Sequence, residues 1–207
     1  MPLLLFDLPP AAQRTWLIER LAAAPPESAR GMTDGFRLPG REGEPTPAAV
    51  LVPLVNRPEG LTVLLTLRSA DLPDHPGQIS FPGGRVEPED PDIPSAALRE
   101  AEEEIGLARD RVQILGELPF YETVTGYRVV PVVGWIEPPF STKPDPIEVA
   151  DVFEVPLAFI FDAANHRRHF RMLGELRRDY WAIPYQDRYI WGATAAMLLI
   201  FERTLRG

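Results

Sequence analysis

Residues Arg99-Glu100-Ala101-Glu102-Glu103-Glu104-Ile105-Gly106-Leu107 decide how this chain is read. Pro94 stands near the start of the segment and Gly106 just past its end, so a helix is expected over 94–105. At about 100° per residue, with Glu100 set at zero, Glu103 falls near about 300° and Glu104 near about 40°. Three carboxylates therefore share one stripe. Leu98, Ala101 and Ile105 cluster between about 100° and about 160° and are expected to pack on a core. Glu102 points elsewhere, to solvent.

That stripe is adverse for an isolated helix. Glu100/Glu103 and Glu100/Glu104 are like charges at contact spacing, each unfavourable by roughly 0.2–0.5 kcal/mol. Glu103 and Glu104 also occupy the last turn, where acids oppose the helix dipole at roughly 0.3–1 kcal/mol each. A divalent cation bridging the oxygens would reverse the sign, and hard cations prefer such ligands. A solvated acidic face is the alternative reading of the helix taken alone.

Upstream, Gly83-Gly84 follows Pro82 and precedes an acid-rich loop (Glu87, Glu89, Asp90). Tandem glycines let backbone approach a ligand closely, though an ordinary tight turn would use them too. Gly84, five residues, Asp90, eight residues and then Arg99 to Leu107 together resemble the Nudix box. That family pattern is Gly-x5-Glu-x7-Arg-Glu-U-x-Glu-Glu-x-Gly-U, with U bulky and apolar. Here Asp90 replaces Glu, the spacer is one residue longer, and Ala101 is small for its position.

Further upstream, Leu64-Leu65-Thr66-Leu67-Arg68-Ser69 and His75-Pro76-Gly77-Gln78-Ile79-Ser80-Phe81-Pro82-Gly83-Gly84 are similar to the motif preceding the box in coenzyme A pyrophosphatases. The Asp90 variant with its longer spacer also resembles that subgroup. Thr125–Gly134, Glu148–Ala150 with Val155–Leu157, and Ile190–Thr194 fit it as well. One departure bears on substrate: where the subgroup carries an arginine four residues after Ser69, this chain has Pro73.

The resemblance implies an α/β (α+β) fold, an α/β/α sandwich around a central mixed β-sheet. Residues 1–47 would form an N-terminal helix and linker, and residues 48–207 the hydrolase domain. The implied reaction is Mg2+- or Mn2+-dependent cleavage of the diphosphate of coenzyme A or acyl-CoA, giving 4'-phosphopantetheine and adenosine 3',5'-bisphosphate. Another nucleoside diphosphate derivative, such as ADP-ribose or a dinucleotide, and a binding module without catalysis are the alternatives.

Glu100, Glu103 and Glu104 are the expected metal ligands, with a carbonyl of the Gly83-Gly84 turn, assigned to Gly84, completing the set. Glu103 and Glu100 are the expected catalytic carboxylates, Glu103 as third ligand or water-orienting base. Arg68, His75, Gln78 and Gly83 are the expected substrate contacts. Arg99 is expected to support the site, since Arg99/Glu103 is an i,i+4 pair and guanidinium grips carboxylate bidentately. Glu122 and Glu148 are further candidates for general base. Tyr121, Tyr127 and Trp135 are expected in the core or a pocket wall, where one could stack on adenine. His166 and His169 lack metal-ligand company and are expected on a surface strand.

Around this centre the chain is ordinary. Residues 10–24 form an amphipathic helix with Pro10 in its first turn and Pro25-Pro26 stopping it. Residues 25–47 are a linker rich in Pro, Gly and charge. Val50–Asn56 and Leu61–Arg68 flank a hairpin signal, Arg57-Pro58-Glu59-Gly60, and Gln78–Phe81 is a short extended piece. Strands are expected at 112–121, 128–136, 149–155, 167–173 and 178–184. A proline-rich surface loop is expected at 137–147, and helices at 157–163 and 192–206.

The chain has 207 residues, 45% of them apolar, enough for a real core. Its net charge of -9 disfavours a nucleic-acid partner but not a small anionic substrate that binds with cations. Without cysteine, disulfides and thiolate chemistry are excluded. The N-terminus has neither the basic nor the long apolar segment of a signal peptide, and no apolar run approaches the roughly 20 residues of a membrane span. A cytoplasmic location is expected. Residues 1–47 keep two readings, cover for a core edge or part of a homodimer contact.

Overall fold

The computed structural model describes residues 4–23, 32–33, 37–38, 40–41, 43–173 and 176–206. After a 3-10 turn, Leu4–Asp7, come α1 (Pro10–Ala22), β1 (Met32–Thr33), β2 (Thr46–Arg57), β3 (Gly60–Arg68), β4 (Ile79–Ser80), β5 (Gly83–Arg85) and α2 (Ile93–Ile105). The chain continues through β6 (Val112–Glu117), β7 (Tyr121–Glu122), β8 (Tyr127–Ile136), β9 (Val149–Pro156) and α3 (Leu157–Ile160). It ends in β10 (Arg167–Leu173), β11 (Leu176–Tyr185), β12 (Arg188–Trp191) and α4 (Gly192–Arg206).

Among the described residues, nine strands form one mixed sheet. β2 runs parallel to β8 and antiparallel to β3 and β5. β3 pairs antiparallel with β4 and β9. β10, β11 and β12 form a separate antiparallel sheet.

The period of two along the long strands assigns the two faces. Val52 and Leu54 of β2, Val63 and Leu65 of β3, and Val133 and Trp135 of β8 point to one side. There they join Leu17 and Leu21 of α1 and Leu198 and Phe201 of α4. Ala49, Leu51 and Val55, Leu64, and Val132 and Ile136 point to the other, against Ala96, Ala97, Ala101 and Ile105 of α2. The result is the expected helix–sheet–helix sandwich. Ala101, small for its box position, sits fully buried where α2 lies on the sheet.

The N-terminal helix belongs to this core. Leu17 is fully buried, so Leu17→Ala is expected to lower the unfolding free energy by about 2–5 kcal/mol, read by urea denaturation. A loss under about 0.5 kcal/mol, the size of a surface change, would mean that α1 is a detachable extension.

Several expectations shift. Most of the 25–47 linker lies outside the described residues, and β2 starts at Thr46. The single strand at 112–121 is two, because Leu118-Pro119-Phe120 interrupts the ladder. The helix at 157–163 stops at Ile160, and a 3-10 turn capped by Asp162 follows. β12 was not expected: its turn carries no glycine, and Gln186 itself takes φ 53. Among the described residues no helix is long and apolar enough to cross a membrane.

Candidate active site

The site forms where β3, β4 and β5 meet α2. β3 ends at Arg68, whose backbone N–H donates to Gln78 O at 2.9 Å. The intervening turn places exposed His75 at φ 56, its Nδ1 3.2 Å from Gln78 Oε1. Next, the chain reaches the paired glycines. Gly83 takes φ 153, and a Cβ there would lie 2.4 Å from Ala49 O. At Gly84 the space of the missing Cβ is occupied by the Glu100 carboxylate, 2.5 Å from where that carbon would stand. Backbone and carboxylate can meet so closely only because the side chain is absent.

α2 is fixed at both ends. The Asp92 side chain accepts from Ser95 N–H at 2.8 Å, and Gly106 closes the helix at φ 62. The loop after β8, expected only as surface, supplies more. Lys143 N–H donates to Ile105 O at 2.7 Å and Asp145 N–H to Glu104 O at 2.9 Å. These bonds satisfy carbonyls that a helix end otherwise leaves bare.

The carboxylate stripe is split. Glu104 is only 4% exposed. Its Oε2 accepts from Gly83 N–H at 3.0 Å, and Arg68 Nη1 lies 3.6 Å from its Oε1. Burial pushes the Glu104 carboxyl up to about 7; Gly83 and Arg68 oppose the rise, while Glu100 and Glu148 add to it. Glu100 is also raised, first by burial, against the pull of Arg99. Glu103, by contrast, has a side chain 59% exposed, and its Oε2 accepts from Arg99 Nη1 at 3.0 Å. The wheel explains the division: Ala97 and Ala101, at about 60° and 100°, draw the Glu104 edge into the core and leave the Glu103 edge outside.

Arg99 links the pieces. Its Nε and Nη2 donate to the two oxygens of Asp90 at 3.0 and 2.9 Å. Nη1 reaches Glu100 at 3.0 Å, and Nη2 also reaches Arg85 O at 3.0 Å. The guanidinium holds the Asp90 carboxyl below its usual range, helped by Glu87 N–H. The shorter acid and the longer spacer thus still end in a two-pronged grip. Asp90→Ala is expected to cost about 1–3 kcal/mol, seen as a lower melting temperature, whereas an unchanged melting point would deny Arg99 its supporting role.

The structure therefore brings together Glu100, Glu104, Gly83, Gly84 and Arg68. Glu148 is exposed but within electrostatic reach of both Glu100 and Glu104, and its carbonyl accepts from Ser69 N–H at 2.8 Å. Glu103 stands at the solvent edge of the site, sharing Arg99 Nη1 with Glu100, and His75 and Gln78 form the neighbouring turn. Among the described residues no three carboxylate or imidazole side chains are gathered as a metal cage. The donor chemistry still fits a hard divalent cation, which is commonly held by one or two carboxylates together with substrate phosphates. A buried Glu104 whose carboxyl is raised further by the half-buried Glu100 beside it, and a buried Arg68 Nε with no hydrogen-bond partner, are the features such a cation and an anionic ligand would relieve.

The other candidates separate. Glu122 accepts from Arg128 at 2.7 Å and Arg37 at 3.2 Å, and Arg128 chiefly holds its carboxyl low. Tyr121 and Trp135 are buried in the core. The Tyr127 hydroxyl accepts from Arg85 at 3.0 Å. His169 lies exposed on β10, whereas His166 precedes the strand, with Nε2 2.7 Å from Ile160 O. Sequence reasoning missed the Asp92 cap, although an acid two residues before Pro94 signals one. It also missed the loop bonds of Lys143 and Asp145, which no local pattern marks.

A family model described as the NUDIX domain matches residues 45–171. A protein of Photorhabdus laumondii described as an uncharacterized Nudix hydrolase, NudL, is 43% identical over 152 residues, covering 73% of this chain and 80% of the relative. A protein of Escherichia coli with the same description is 45% identical over 158 residues, covering 73% and 78%. A crystal structure of a MutT protein from Methanosarcina mazei Go1 aligns with a TM-score of 0.50 at 19% identity, over 80% of this chain and 96% of that one. The last is a likeness of fold.

Proposed function

Because this chain belongs to the Nudix family and is a hydrolase of phosphoanhydride bonds in nucleoside diphosphate derivatives, we propose that it cleaves coenzyme A or an acyl-CoA. The products are 4'-phosphopantetheine and adenosine 3',5'-bisphosphate. One observation carries the reading. The stretch 64–84, with its likeness to coenzyme A pyrophosphatases, and the acidic helix meet at Glu104, which accepts from Gly83 N–H and faces Arg68.

Nudix hydrolases use divalent metal ions, and Mg2+ or Mn2+ is the ion assigned here. Glu100, Glu104 and the Gly84 carbonyl would hold it, with Glu103 as third ligand or water-orienting group after a turn of its side chain. When bound, the cation neutralises phosphate charge and lowers the pKa of water. Arg68 would meet a phosphoryl oxygen, a reading supported by its position beside Glu104 and by a buried Nε with no hydrogen-bond partner. His75 and Gln78, paired in the turn after Arg68, would contact the substrate too, and Arg99 would keep Glu100 in position through its 3.0 Å bond. Hydrolysis forms a bond from a water oxygen to one phosphorus, breaks the bridging P–O bond and sends a proton to a carboxylate. Of the two later acids, Glu148 suits that duty better, since Glu122 is neutralised by two arginines.

A panel of coenzyme A, acetyl-CoA, ADP-ribose and a dinucleotide, read by product mass, tests the assignment. Products of 4'-phosphopantetheine mass are expected, and coenzyme A left intact while ADP-ribose is consumed would overturn it. Pro73, in place of a basic residue, is what favours that second substrate class. A binding module without catalysis would leave every member of the panel uncut.

A further inference from the structure

Arginine is concentrated in one hairpin of an acidic chain. The net charge is -9, yet Arg167, Arg168, Arg171, Arg177 and Arg178 all lie on β10 and β11. The register sets Arg171 directly opposite Arg178, and like charges in that relation are unfavourable. Arg168 and Arg177 converge on the single carboxylate of Asp179, at 3.2 and 2.9 Å. One negative charge between two positive ones leaves a surplus on the surface.

Beside that surplus is a cavity of about 340 Å³, lined in part by Arg168, Arg177, Arg178, Tyr180, Trp181 and Gly192 at the start of α4. The volume is within the range of small-ligand sites. Trp181 is half-buried, and the Arg168 guanidinium lies 5.8 Å from its ring centre. Tyr180, the residue before Trp181 on β11, turns its ring to the other face of the hairpin, edge-on to Trp191 at 5.3 Å. Forked guanidinium groups match phosphate, and the Trp181 ring matches a planar base. None of Arg68, Gly83, Gly84, Glu100 and Glu104 lines this cavity.

We propose that the cavity is a second ligand site, separate from the carboxylate cleft, that takes a nucleoside monophosphate with its phosphoryl group on Arg168 and Arg177 and its base against Trp181. The proposal does not depend on which diphosphate the cleft hydrolyses.

Calorimetric titration of the full chain in EDTA tests it, with AMP, adenosine and inorganic phosphate as probes; AMP has no anhydride for the cleft to cut. AMP is expected to bind at least about tenfold more tightly than adenosine or phosphate alone. The Arg168→Gln/Arg177→Gln double variant should lose at least about tenfold in affinity, and Glu104→Gln should bind AMP as the parent does. The two substituted side chains are 65% and 63% exposed, so the fold is retained. No binding at millimolar AMP, equal affinity in the double variant, or loss in Glu104→Gln would overturn the proposal. So would capture of phosphatidylserine vesicles but not AMP, since exposed Phe170 and Met172 would then make the hairpin a lipid-facing surface.

Discussion

Glu104→Gln is expected to lower activity by roughly 100- to 10,000-fold and, at the same time, to stabilise the metal-free protein. The first effect follows from losing one of the charges that would hold the cation, whose contribution is several kcal/mol at about 1.4 kcal/mol per tenfold. The second follows from where the carboxylate lies. It is almost fully buried, and its pKa is pushed from 4.5 up to about 7. Between those values the folded chain keeps a proton that the unfolded chain has released. Stability therefore falls as pH rises through the window and stays low above it. At about 1.4 kcal/mol per unit the loss is on the order of 3 kcal/mol. Glutamine has no charge to desolvate and keeps an oxygen for Gly83 N–H. In EDTA at pH 8 the variant should melt above the parent, and near pH 4.5 the two should converge. Added Mg2+ should raise the melting temperature of the parent alone. A variant that melts lower than the parent at pH 8 would mean that Glu104 is not the strained acid described here.

The paired glycines should respond in opposite ways to one added methyl. In Gly83→Ala the new carbon meets the Ala49 carbonyl and Val50 Cα, both main-chain atoms, at a φ of 153. Neither neighbour can yield, so a loss of about 3 kcal/mol or more is expected. In Gly84→Ala its three nearest neighbours all belong to the Glu100 carboxylate, the far end of a flexible side chain. Folding should change by under about 1 kcal/mol, but Glu100 must move away, and activity should fall about 10- to 100-fold. Urea denaturation and steady-state rates on both variants separate the effects. Parent-like activity in Gly84→Ala, or parent-like stability in Gly83→Ala, would contradict this geometry.

Local periodicity made much of this legible. The extent of α2 followed from Pro94 and Gly106, and the β2–β3 hairpin from Arg57-Pro58-Glu59-Gly60. What sequence could not supply was the surroundings of each helix edge. The carboxylate stripe reads as uniform on a wheel, yet Glu104 is walled in by β5 and Arg68 while Glu103 meets solvent. Lys143 and Asp145 reach the end of α2 from a loop some 40 residues away in sequence, a contact without a local signal. The break at Pro119 follows from its missing N–H, a local signal, whereas the glycine-free turn before β12, with Gln186 at φ 53, carries none.

Mn2+ titration followed by electron paramagnetic resonance, on the parent and on Glu100→Gln and Glu104→Gln, addresses the metal assignment most directly. Binding of Mn2+ by the parent, weakened at least about tenfold by either substitution, is the predicted result. Equal Mn2+ affinity in all three proteins, or none in the parent with or without a substrate analogue, would contradict it.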